Sequence, residues 1–289
     1  MAKATTGKQL ISAAWAGLKQ DKELMVLPIL GGLFSSLSIA VIAGIGYVAG
    51  AFDTMLAADS ANQSVSPLGY VFAAFIAYVT TTIALFFQSA LIFGAMERLD
   101  GGDPTVASAL AAARKKLGAI MLWALVATTV GLILRAISER GGALARIGSA
   151  IAGMAWAVAT FFVLPVVIFE GVNSFAAVKR SGQLISQRWG TVARTSLRFG
   201  LRLFVAVVLT LGTIVVGFAM AFTSVDTGEG SPAVGVVIAL LGVVGLMIVT
   251  VVTNALNGYV RAVLYRHAVG QPIPGITEEI LAGAFPIKG

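Results

Sequence analysis

Asn254, Asn257 and Arg261 fall at i, i+3 and i+7, so a helix carrying them presents all three on one face. Gln88 lies about two turns before the end of a second apolar run, and Glu97 and Glu170 close two such runs. A set of this composition can pair Arg261 with Glu97 or Glu170 and hold Gln88, Asn254 and Asn257 in hydrogen bonds nearby. Ionisable groups surrounded by apolar sequence are costly to bury, so the set reads either as the lining of a substrate or ion pathway or as structural contacts between helices. A second group is basic: Arg194, Arg198 and Arg202 repeat every four residues, and Lys179, Arg180 and Arg188 precede them. At a membrane surface such a cluster attracts anionic headgroups at about 1 kcal/mol per basic residue. The same residues also serve as an ordinary topology signal.

Other chemistry lacks its parts. Cysteine is absent, which removes thiolate catalysis, disulfides and Cys-ligated metals. The single histidine, His267, stands beside Arg266, and no His-x-x-x-His, Gly-x-Ser-x-Gly or phosphate-cradling glycine loop occurs. The expectation is a non-enzymatic protein with no cofactor and no metal.

These residues must be positioned by long apolar helices. Six stretches of 18 to 29 residues carry no charge: Leu24–Phe52, Leu68–Met96, Leu117–Leu134, Ile147–Phe169, Leu203–Val225 and Pro232–Val260. Each is long enough to cross a hydrocarbon core of roughly 30 Å at about 1.5 Å per residue. The chain is 58% apolar and 11% charged, too apolar to hide inside a soluble fold of this length. Lipid must cover the excess. Pro28 and Pro165 lie inside these runs, where each removes a donor and can kink its helix. Small residues at every fourth position, Ala145, Ser149, Gly153 and Ala157, and again Gly46 and Gly50, mark helix-packing faces.

Charge placement orients the spans. Of the 20 Lys and Arg residues, all but Arg135, Arg140 and Arg146 fall on one side. The positive-inside rule puts that side, with both termini, in the cytoplasm, and the net charge of +7 is therefore no sign of nucleic-acid binding. The first apolar run is too long for the core of a signal peptide, so it reads as a retained span in the cell membrane.

Before the first, third and fifth spans the pattern is alike: a short amphipathic helix running into a membrane helix. Ile11, Trp15 and Leu18 form the first stripe. Asp103-Pro104 opens the second as N-cap and first helical residue, with Val106, Leu110, Ala113 and Leu117 on one face. Phe175, Val178, Ile185 and Trp189 form the third, with Lys179, Gln183 and Gln187 opposite. Such stripes suit helices lying in the headgroup region. The expected organisation is one membrane domain over residues 1–289, in three repeat-like units at roughly 5–100, 101–172 and 173–270 with a tail at 271–289.

The segments Leu18-Lys19-Gln20-Asp21-Lys22-Glu23-Leu24, Ala95-Met96-Glu97-Arg98-Leu99-Asp100-Gly101-Gly102-Asp103-Pro104, Trp123 to Arg135, and Trp156 to Ala177 with Thr160-Phe161-Phe162-Val163-Leu164-Pro165 and Lys179-Arg180-Ser181 resemble an uncharacterised bacterial and archaeal family of six-span integral membrane proteins. The chain is also distantly similar to YciC-like and glycerophosphodiester-phosphodiesterase membrane domains, which share the amphipathic-helix-plus-hairpin plan. The resemblance implies a fold and a location, and no activity, because no soluble phosphodiesterase barrel is present. The fold expected is an all-α bundle of six transmembrane helices in three hairpin units, N-in and C-in. The function expected is binding of anionic lipid and a role in envelope organisation or assembly, with membrane lipids, other membrane proteins or a second copy as partners. The alternative is a small-molecule or ion transporter using the polar face of the sixth span.

Overall fold

The computed structural model describes residues 15–48, 67–188, 193–227 and 231–272, with side chains described for all of these except 67–68, 187–204 and 226–227. Among the described residues there is no strand. A helix at 15–20 passes through the 3-10 turn Lys22–Met25 into α1 (Val26–Val48). There follow α2 (Pro67–Leu99), the short α3 (Val106–Lys115), α4 (Leu117–Arg140) and α5 (Gly142–Ala159). After a turn at 160–162 come a helical turn, Val163–Pro165, and a π-helical turn, Val166–Glu170. The chain continues as α6 (Ser174–Arg188), α7 (Ala193–Thr227) and α8 (Pro232–Ala268).

Six of these segments are long and apolar enough to span a membrane: Lys22–Val48, Gly69–Leu99, Leu117–Arg140, Gly142–Ala159, Val205–Val225 and Pro232–Ala268. The protein is therefore a multi-pass membrane protein. Consecutive spans pack as three hairpins, α1 on α2, α4 on α5 and α7 on α8, and α2 is the hub, touching α1, α3, α4 and α8.

Packing is concentrated at one end of the bundle. The buried core gathers Leu18, Leu24 and Leu27, the last three turns of α2, Ala109 and Ala113 of α3, Trp123 near the start of α4, residues 162–168 and the last turns of α8. At the opposite end Tyr47, Val48, Tyr70, Leu144, Phe222 and Val225 are exposed, as suits side chains facing lipid. Most charged residues of the helix ends lie at the packed end, while Arg135, Glu139, Arg140 and Arg146 lie at the other, where Arg135 donates to Glu139 at 2.7 Å.

Several details differ from the sequence-based expectation, each for a physical reason. Pro28 sits in the first turn of α1, where its missing N–H is not needed by the helix, and the chain runs on. Pro165 instead ends a span: it cannot donate, its ring excludes the carbonyl four residues earlier, and the chain turns at 160–162. The fourth span is thus 18 residues of regular helix rather than the whole of Ile147–Phe169. The N-cap of α3 is Thr105, whose hydroxyl accepts from the Ser108 N–H at 3.0 Å while the Ser108 hydroxyl accepts from the Thr105 N–H at 3.0 Å. Asp103 is drawn away to an arginine. On α6 the buried stripe is Ser174, Ala177, Ser181 and Leu184, and Phe175 is exposed. Ile11 and Trp189 lie outside the described residues.

The expected small-residue face of α5 holds in part: Ser149 is buried, and a methyl on Gly153 would touch Leu134 of α4 at 3.9 Å, while Ala157 is exposed. Gly46 is buried and Gly50 lies outside the described residues. The closest crossing is elsewhere, between α7 and α8. There Gly217 and Ala221 face Gly235 and Ala239 so closely that a Cβ on Gly217 would lie 2.7 Å from the Gly235 carbonyl oxygen, and one on Gly242 would lie 2.7 Å from Ile214. Backbone-to-backbone contact replaces the hydrophobic driving force that lipid removes.

Gly235→Val should therefore separate α7 from α8 and lower the midpoint of thermal unfolding in detergent. Gly212→Ala, where an added methyl meets nothing within 4 Å, should leave that midpoint unchanged or raise it slightly.

Candidate functional site

The last turn of α2 organises the packed end. Gly101 takes a left-handed conformation (φ 84°), the Gly102 N–H reaches back to the Glu97 carbonyl at 2.9 Å and the Gly101 N–H to the Arg98 carbonyl at 3.0 Å, stopping the helix abruptly. Four charged side chains then fan out. Arg98 donates through Nε to Asp21 at 2.7 Å and through its second nitrogen to Asp21 again and to Asp103 at 2.7 Å. The Asp21 side chain is only 3% exposed, whereas that of Asp103 is 92% exposed, so the first pair is an interior tie and the second a surface one. Asp100 pairs with Arg266 of α8, whose Nε also donates to the Pro272 carbonyl at 2.6 Å. Glu97 accepts from the Ser108 hydroxyl at 3.1 Å, fixing α3.

A second group lies where the α5 break ends. Arg180 of α6 donates to both Glu170 oxygens at 3.2 and 3.3 Å, and the Tyr265 hydroxyl donates to the same carboxylate at 3.1 Å. The Phe169 ring stacks on Tyr265 with centroids 5.8 Å apart. Met96, Phe169, Glu170, Arg180, Tyr265 and Gln271 line an open cleft of about 470 Å³ here. A depression of similar size on α1, lined by Val41, Gly44, Ile45 and Val48, has no side chain capable of chemistry.

The third group is deeper in the bundle. Arg261 donates through Nη1 to the Gln88 side-chain carbonyl at 3.1 Å, and its guanidinium lies 5.1 Å from the centre of the Phe161 ring. Its Nε is buried and has no partner among the described residues. Phe161 belongs to the α5 break, and the break is repaired by α6: the Phe162 N–H donates to the buried Ser181 hydroxyl at 3.1 Å. Interrupted backbone inside a span is tolerated where side chains re-satisfy it, and Ser181 does so here.

The expected pairing of Arg261 with Glu97 or Glu170 is not formed. Each carboxylate is engaged by a donor closer to the helix ends, and Arg261 takes the neutral Gln88. Asn254 and Asn257 are exposed on neighbouring turns of α8 and, among the described residues, bond neither Gln88 nor Arg261. Of the basic cluster, Lys179 is exposed and Arg180 is held by Glu170, while the side chains of Arg188, Arg194, Arg198 and Arg202 lie outside the described residues. Among the described residues no three His, Asp or Glu side chains gather as a metal site would require. Sequence reasoning missed Asp21, Asp100, Ser181 and Tyr265. Asp21 and Asp100 lie at span boundaries opposite arginines, which was a usable signal; Ser181 and Tyr265 carried none.

Residues 68–273 match a family of unknown function, DUF6159. The chain belongs to that family. The matched stretch takes in α2 to α8, and so every partner named above except Asp21, which precedes it. No curated protein matches the chain. Family and fold together describe a multi-pass membrane protein of a family whose function is unknown.

Removing one member of an interior ion pair strands the other, a loss of about 3–5 kcal/mol where burial is complete. Asp21→Ala, which leaves Arg98 a quarter exposed and still paired with Asp103, should cost less than that ceiling but clearly more than Asp103→Ala, which should cost about 1 kcal/mol or less since exposed pairs contribute little. Chemical denaturation of the two variants in the same detergent distinguishes them.

Proposed function

We propose that this is a non-enzymatic protein of the cell membrane, with its packed end in the cytoplasm, that binds anionic lipid headgroups and serves in envelope organisation or as an assembly partner. The observation that carries the reading is the outer face of α6. Its inner stripe is fixed on the bundle, yet Phe175 is 77% exposed and Lys179, one turn on, is exposed beside Arg180. An aromatic ring and an ammonium group side by side on a helix at the bundle end suit the boundary between acyl chains and headgroups. Arg188, Arg194, Arg198 and Arg202 follow within the next turns of sequence and add to the attraction for negative lipid. The orientation rests on the one-sided distribution of Lys and Arg. The absence of cysteine, the single histidine and the engagement of Glu97 and Glu170 by their own partners support the non-enzymatic part.

Changing Lys179, Arg194, Arg198 and Arg202 together to glutamate should abolish retention of phosphatidylglycerol over phosphatidylcholine, read by native mass spectrometry, with a loss of about 1 kcal/mol for each basic residue removed. Unchanged retention by a folded variant would overturn the reading.

A second reading, transport of a small molecule or ion, is favoured by the broken α5 beside Arg261 and Gln88, since discontinuous helices commonly frame transporter sites. It expects water to reach Asn254. The chain has no cysteine, so Asn254→Cys provides a single label site. A membrane-impermeant thiol reagent should modify it in the folded protein, and no modification counts against transport.

A further inference from the structure

Four of the arginines described near the packed end make side-chain contacts, and their surroundings are unequal. Arg98 has two carboxylates, Arg266 has Asp100 and a backbone carbonyl, and Arg180 has Glu170. Arg261 has a neutral amide and an aromatic face, with its Nε buried and unpartnered. It stands five residues before Arg266 on α8, about 7–8 Å further into the membrane at 1.5 Å per residue. A guanidinium does not lose its proton under any relevant condition, so this charge cannot be relieved by neutralisation. Gln88 accepts from it and keeps its own amide N–H donors, for which no acceptor occurs among the described residues. Asn257 and Asn254, one and two turns deeper on the same flank of α8, are exposed, although an amide facing hydrocarbon is unfavourable.

These observations share one resolution. We infer that Arg261, with Gln88 at the α5 break, is the binding site for one oxyanion group at membrane depth, either the phosphate of a lipid reaching in from the headgroup layer or a free phosphate-like anion. Planar N–H donors on Arg261 match two oxygens of such a group, and the Gln88 amide supplies a further donor without adding charge. The Phe161 ring lies 5.1 Å from the guanidinium and covers one of its faces. This site is separate from the outer face of α6 and requires neither headgroup binding there nor translocation.

The test is ligand-dependent thermal stability of the full chain. One probe is inorganic phosphate added to protein in a neutral detergent, with chloride at equal ionic strength as control. The other is phosphatidylglycerol included in phosphatidylcholine nanodiscs. A ligand binding only the folded state at a hundredfold excess over its Kd should raise the unfolding midpoint by about 5 °C. A response to phosphate identifies a free anion, and a response to phosphatidylglycerol alone identifies a lipid. In either case Arg261→Gln should abolish the shift, Arg261→Lys should restore part of it, and Arg146→Glu, exposed at the opposite end of the bundle, should leave it intact. Equal shifts in the wild type and Arg261→Gln, or no shift with either probe, would overturn the inference. Should Arg261→Gln fail to fold, Gln88→Leu carries the test: it keeps the charge but removes its orienting partner, and an undiminished shift would be equally fatal.

Discussion

A chain surrounded by hydrocarbon must satisfy its backbone N–H and C=O groups from within, because no water is present to do so. The whole architecture depends on this constraint. It makes every described span a helix, confines irregular backbone to places where other groups compensate for it, and pushes charged side chains towards the ends of the helices. The interruption at 160–162 illustrates the rule, since Pro165 breaks the ladder and the Ser181 hydroxyl takes up the Phe162 N–H. The left-handed glycines Gly101, Gly171 and Gly270 are its counterpart at the packed end. Each terminates a segment running towards the packed end over one residue, so that the return chain leaves without trailing unpaired carbonyls through the apolar layer.

The two ends of the bundle are held by different forces. At the end carrying Tyr47, Leu144 and Phe222, side chains project outward, and the hairpins hold together through small residues, above all where Gly217 and Gly235 let α7 and α8 touch backbone to backbone. At the packed end, charges join elements distant in sequence: Asp21 to α2 through Arg98, α2 to α8 through Asp100 and Arg266, and the Val166–Glu170 turn to α6 and α8 through Arg180 and Tyr265. Lipid contributes no hydrophobic force between helices, so directional contacts and close packing must do what a soluble core does by excluding water. This explains why α2, which carries most of those contacts, is the hub.

Much of this fold was legible because apolar run length is a strong signal in a membrane protein. The six spans, the three hairpins and the short amphipathic helices at 15–20, 106–115 and 174–188 follow from hydropathy and charge alone. What was not legible depended on competition between partners. Asp103 looks like an N-cap until Arg98 claims it and Thr105 takes its place. Pro28 and Pro165 look equivalent in sequence, but one falls in a first turn and the other within a span, a distinction set by where the helix starts. Phe175 looks like a packing residue because its type is apolar, whereas α6 buries Ser174, Ala177, Ser181 and Leu184, with Val178 and Ile185 partly buried against the core beside them. The polar cluster was recognised by its residues but not by its pairing. Arg261, Gln88, Glu97 and Glu170 are all in the packed half of the bundle, yet the carboxylates stay near the helix ends, where solvation is cheaper, and leave the deeper arginine to an amide.

The segment at 160–170 links the features that bear on function. At its start the Phe161 ring lies over Arg261 and the Phe162 amide is bound to Ser181; at its end Glu170 holds Arg180 and receives the Tyr265 hydroxyl. Ser181 and Arg180 both belong to α6, and Arg261 and Tyr265 are one turn apart on α8. An uninterrupted helix could not make all four contacts, because a straight fourth span would carry Phe161 and Glu170 along one axis about 13 Å apart at 1.5 Å per residue. The break therefore does more than tolerate Pro165. It holds the amphipathic helix α6 through Ser181 and Arg180 and places an aromatic ring on the deep arginine in the same stroke. Displacing that segment would disturb the buried charge and the surface helix together, since it contacts both.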